Sequence, residues 1–116
     1  MQRTSLTETA AEHLRTAATS DAGRSATTVH GGHDASLRQT VIALRAGQSL
    51  SEHANPGEAT VQVLQGRVVL RTDDGSQEGT AGDLLGVPDC VHALDAVDDS
   101  VVLLTVAKGT YGATTT

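Results

Sequence analysis

The sequence predicts an all-β domain, a sandwich or barrel, with one short helix appended at its N-terminus. Three observations lead there. Beyond Gly23 the chain breaks into short Val-, Leu- and Thr-rich segments separated by Gly, Asp, Asn and Pro. Turn signals such as Asp73-Asp74-Gly75-Ser76 recur at the spacing of short antiparallel strands. Only the first 20 or so residues carry apolar positions at helical spacing. At 116 residues the chain is long enough for one core and too short for two.

The helix comes first. Ser5-Leu6-Thr7-Glu8 is a capping box, in which Ser5 accepts from the Glu8 amide and Glu8 reaches back. Leu6, Ala10, Leu14 and Ala17 then make a thin apolar stripe, so a helix is expected over 6–18, ended by Ser20 to Gly23. Such a stripe must pack on the domain or on a partner subunit. Candidate strands follow at 24–30, 37–45, 60–65, 67–72, 83–87, 91–95 and 100–107. Gly66 sits at a tight junction between two of them, where a positive φ would explain it. Asp98-Asp99 marks a further turn. The expected organisation is a helix and arm over 1–22, a barrel over 23–108 and a frayed tail over 109–116.

Composition narrows the function. There is no Phe or Trp, one Tyr and one Met, so the core rests on Val, Leu and Ala. A pocket that stacks sugars or aromatic rings would offer a ring, and only Tyr111 exists. A formal charge of −6 with no basic cluster argues against nucleic acid as a partner. A single cysteine, Cys90, excludes an internal disulfide and suits a reducing compartment. No stretch approaches the ~20 apolar residues of a membrane span, and the N-terminus lacks a signal-peptide run. A soluble cytoplasmic protein, without membrane or nucleic-acid partners, is expected.

Two segments carry a family resemblance. Gly47, five residues, His53, one residue, Asn55, then a Val-rich strand into Gly66 resembles the first signature of the cupins. Gly82, five residues, Pro88, then His92 resembles the second, and GDLLGVPDCVHAL carries most of the likeness. The 15 residues between Gly66 and Gly82 match short cupin spacing, and the likeness runs from Leu37 to Ala107. The resemblance implies a single jelly-roll β-barrel, commonly a homodimer, with a small-molecule pocket in the barrel mouth. It also implies a divalent transition metal held by two histidines and a carboxylate of the first signature and a histidine of the second.

Residue by residue, His53 and His92 match ligand positions. Asn55 stands where a histidine belongs, and Ala59 where the carboxylate belongs; Glu58 is one place early. A one-residue shift turns a strand side chain to the opposite face, although the Pro56-Gly57 loop could absorb it. Cys90 and Ala96 also depart from the usual second signature. A divalent metal needs about three or four donors. The candidate set is therefore His53 and His92, with Asn55, Glu58 or Gln62 completing it, and Fe, Mn, Ni, Zn or Cu as the metal. Each residue also has a plainer reading. Asn55 is a turn former before Pro56-Gly57, Glu58 a solvated rim residue, and Gln62 an outward position between Val61 and Val63. His30 and His33 read as surface histidines and His13 as an exposed helix residue. Cys90 reads as a buried small apolar side chain rather than a nucleophile paired with His92.

Two functions of different kind follow. One is a metal-dependent oxygenase, isomerase or decarboxylase acting on a small molecule. The other is a non-catalytic ligand-binding or sensing barrel without tightly bound metal, in which the histidines are hydrogen-bond partners. A structural domain that dimerises through the helix and an edge strand is a third. The missing second histidine and carboxylate weigh against catalysis, and no catalytic residue can be assigned.

Overall fold

A computed structural model describes residues 1–52 and 57–108 of the chain. After one helix, α1 (Leu6–Thr19), come nine strands: β1 (Arg24–His30), β2 (Leu37–Leu44), β3 (Ser49–Glu52), β4 (Gly57–Gln65), β5 (Arg67–Thr72), β6 (Gly75–Thr80), β7 (Leu84–Val87), β8 (His92–Ala96) and β9 (Ser100–Lys108). They form two antiparallel sheets, ordered β1-β2-β9-β4-β7 and β3-β8-β5-β6. This is the all-β jelly-roll arrangement. β3 and β6 were not among the predicted strands. SLSE and GSQEGT carry one apolar side chain between them, and both segments lie next to sheet edges or form them, where one-sided pairing suffices.

The sheets bury their facing sides on each other. Ile42, Val61, Val63, Val68, Leu70, Leu94 and Val102 belong to this inner core. The outer face of the five-stranded sheet is also covered, because α1 lies across it: Ala10 and Ala17 are fully buried against Val41, Ala43, Val101 and Leu103. That explains why Val41–Leu44 are all buried while most strands here alternate. Small residues at positions 10 and 17 let the helix approach closely. Ser5 caps it through the Glu8 amide, at 3.2 Å. Arg45 reaches the other end, donating from Nη1 to the Ala18 and Ser20 carbonyls at 3.3 and 3.1 Å. These are carbonyls that a helix C-terminus leaves without partners.

His13 was expected to be exposed. It is half-buried instead, its Nδ1 2.6 Å from Ser25 Oγ, because α1 rests on β1. Gly66 has φ +85°, and a Cβ there would collide with Asp99 O and Ser100 Oγ. Ser100, itself 1% exposed, accepts from Arg67 N at 3.0 Å and approaches the Arg67 and Asp98 carbonyls, tying the β4–β5 junction to the start of β9. β1 is an edge strand, and its pairing with β2 slips by one residue between Thr28 and His30, leaving Val29 as a bulge.

Candidate functional site

One end of the barrel gathers the candidate residues. β3 and β5 finish there, β8 begins there, and the register pairs Glu52 with His92, Leu50 with Leu94, and Leu70 with Leu94. Directly opposed antiparallel residues share a face. Since Leu94 and Ala96 belong to the inner core, alternation puts His92 inward as well. It is 8% exposed and, with Ser100, is one of two buried polar residues in the described chain.

The His92 ring is oriented by its own strand. Nδ1 lies 2.8 Å from the carbonyl oxygen of Cys90. A carbonyl only accepts, so Nδ1 carries a proton and donates, and in the neutral ring Nε2 keeps its lone pair. No described residue bonds Nε2. The ring borders an apolar chamber walled by Leu50, Val61, Leu70, Val87, Leu94 and Leu104, about 20 Å³ in volume. That is room for one water-sized group. A second, open hollow of about 290 Å³ lies at the same end, bordered by Ser51, Arg71, Thr72, Asp73, Val91 and His92.

The remaining candidates separate. On β4, Gly57, Ala59, Val61 and Val63 face inward and are buried, whereas Glu58 and Gln62 are exposed on the outer face. Ala59 therefore occupies the inward position that the family's carboxylate would take, and neither Glu58 nor Gln62 points at the chamber. From Gly57 onward the frame is fixed, since Ala59 pairs with Val106 and Val87 in unbroken register. His53 and Asn55 lie outside the described residues; His53 follows Glu52 directly in the chain. Among the described residues, no three His, Cys, Asp or Glu side chains converge as a metal-holding group. Cys90 was expected to be buried and is exposed, its contribution to the site being its backbone oxygen. His30 and His33 are both exposed.

A charged cluster lies on the outer face of the four-stranded sheet. Arg71 donates to Asp95 from Nε at 2.8 Å and from Nη2 at 3.1 Å, and Ser49 Oγ donates to the same carboxylate at 2.6 Å. The Arg71 guanidinium and then the Ser49 hydroxyl hold the Asp95 carboxyl below its ordinary range, and the same contact raises Arg71. The cluster cross-links β3, β8 and β5.

Solved structures can now be compared with this arrangement. A conserved protein of unknown function from Streptococcus pyogenes is 29% identical, with TM-score 0.68, over 77% of each chain. An RmlC-like cupin from Desulfovibrio desulfuricans is 28% identical, with TM-score 0.62, over 72% of this chain and 81% of that one. The chain has the cupin fold. A cupin superfamily protein from Desulfitobacterium hafniense, 21% identical at TM-score 0.67 over 73% of this chain and 77% of that one, shares the fold. No family model matches the sequence, and no curated protein does. No described helix is long and apolar enough to cross a membrane.

Proposed function

We propose that this cupin-fold protein binds a small molecule in its barrel, with His92 as the polar group that anchors it. The observation that carries the reading is a buried, oriented imidazole whose Nε2 no described residue bonds. An unpaired buried nitrogen costs about 1–3 kcal/mol, so it persists where something is meant to meet it. A histidine whose other nitrogen is fixed by a backbone carbonyl is also the usual arrangement of a metal ligand.

The donor set fits a metal only in part. His92 would hold it together with His53, which follows the residue paired with His92. Ala59 removes the inward carboxylate, and Glu58 and Gln62 face away. A divalent metal on two imidazoles supplies a Lewis-acid or redox centre when bound. Such a site binds more weakly than a three-histidine one, which favours an exchangeable metal over a resident catalytic one. The 290 Å³ hollow beside His92, roomier than the 20 Å³ inner chamber, favours the second reading, a ligand-binding barrel in which His92 Nε2 accepts a hydrogen bond directly.

Elemental analysis and calorimetric titration with zinc or nickel test the metal. One ion per chain is expected in the wild type, with binding lost in His53→Ala plus His92→Ala and kept in Glu58→Gln plus Gln62→Ala. Equal metal content in the wild type and the double histidine variant would remove the metal reading and leave the direct-ligand one.

A further inference from the structure

The strands β6 and β7 are consecutive, yet they end in different sheets. At one end they are held together. Thr80 N and Oγ1 donate to Asp83 Oδ2 at 2.8 and 3.3 Å, and Gly82 N donates to Val63 O at 2.8 Å. Gly79 lets β6 press down here, since a Cβ would stand 3.1 Å from Leu85 and Val63. Toward the other end the sheets splay. Gln77 pairs with Leu70 and so shares the inner face with it and with buried Gly79, but Gln77 is exposed. An inner-face side chain in solvent marks an open seam.

The seam holds two connected-looking clefts of about 560 and 310 Å³, and Leu70, Gln77 and Gly86 border both. Volumes of this order suit a small ligand. Leu70 also forms a wall of the chamber that His92 borders, so one side chain, 5% exposed, separates the seam from that chamber. Leu84 and Leu85 give the larger cleft its apolar surface. Its polar side chains are Asp83, whose Oδ2 accepts from Thr80, and Gln77, whose Nε2 donates to the Glu78 backbone oxygen at 3.3 Å and whose Oε1 no described residue bonds. Glu78 alternates with Gln77 and turns its carboxylate to the outer face, where Arg67 lies 3.7 Å away.

We infer that the β6–β7 seam is a lateral binding cleft for a short aliphatic amine, with its ammonium at Gln77 and Asp83 and its tail against Leu70 and Leu85. The inference rests on reading the barrel as a ligand-binding one, and it adds a side entrance at which Leu70 is the shutter of the His92 chamber. Apolar walls take the chain, and the Asp83 carboxylate selects a cationic head.

Methyl-labelled full-length protein titrated with hexylamine, hexanol and hexanoate reads this directly by NMR. Hexylamine is expected to give saturable shifts at Leu70 and Leu85, and hexanoate to bind at least about tenfold more weakly. Gln77→Phe fills the seam and abolishes the shifts, while Leu70→Ala extends them to Val87 and Leu94 in the chamber. Melting curves of both variants confirm that each is folded, and Gln77→Phe keeps the test decisive where Leu70→Ala is unstable. Shifts centred on Ser51 and Val91, shifts that do not saturate, or shifts unchanged in Gln77→Phe would overturn the inference. The metal test uses only histidine, Glu58 and Gln62 variants, so the two claims fail separately.

Discussion

Replacing His92 by leucine should make the metal-free protein more stable. The imidazole sits among Leu50, Val61, Leu70, Val87 and Leu94, with Nε2 bonded by no described residue. Removing that orphan recovers about 1–3 kcal/mol, while the lost Nδ1–H bond gives back about 0.5–1.5 kcal/mol. The Cys90 carbonyl belongs to an exposed residue and turns to water instead. The adjoining 20 Å³ accepts the change of shape. The net gain is about 1 kcal/mol, or roughly 4 °C in melting temperature for a chain of this length. Urea and thermal unfolding of chelator-treated protein measure it. With saturating metal or ligand the order reverses, because only the wild type gains the binding free energy. A leucine variant that loses more than about 1 kcal/mol without metal would show that Nε2 is satisfied and that His92 is a structural residue.

Two further outcomes follow from the frame around the site. Gly66→Ala puts a Cβ on Asp99 O and Ser100 Oγ at a φ of +85°, and should cost at least about 2 kcal/mol in urea unfolding, whereas Gly47→Ala, with open space around it, should cost less. Asp95 has its pKa depressed by Arg71 and Ser49, so its contribution is present above the unfolded carboxylate range and disappears as pH falls through the folded value. Arg71→Met should therefore lower stability at pH 7 and leave it nearly unchanged near pH 2, as read by melting curves; an equal loss at both pH values would exclude the ion pair as the cause.

Much of the architecture was legible because it is written in side chains that must be buried. TVQVLQ and VVLLTV could be read as strands from their apolar residues alone, and Gly66 from its position between two such runs. GSQEGT could not, since an edge strand over an open seam needs no apolar residue. The site was legible in part. Gly82, Pro88 and His92 pointed to an inward histidine, but only the strand register decided that Ala59 faces in and that Glu58 and Gln62 face out. Cys90 misled because a cysteine two places before an inward residue reads as inward too, and alternation does not hold in the loop before β8. The tautomer of His92 depends on a carbonyl, which no side-chain pattern reports. Leu70 and Gln77 looked unremarkable because their roles arise from two sheets diverging.

The extra residue in β1 bears on how this protein stays dispersed. RSATTVH is seven residues long, β-branched in its centre and charged only toward its ends, and one of its edges is unpaired. A flat edge of that kind is a template on which other chains can polymerise. By breaking the ladder at Val29, the bulge limits the regular edge to the stretch from Arg24 to Thr28. Val29 also packs into the cluster beneath α1, so the same residue that interrupts the edge helps to hold the helix down. Shortening β1 by that one position would straighten the strand and loosen α1 together, turning a quiet border into a sticky one.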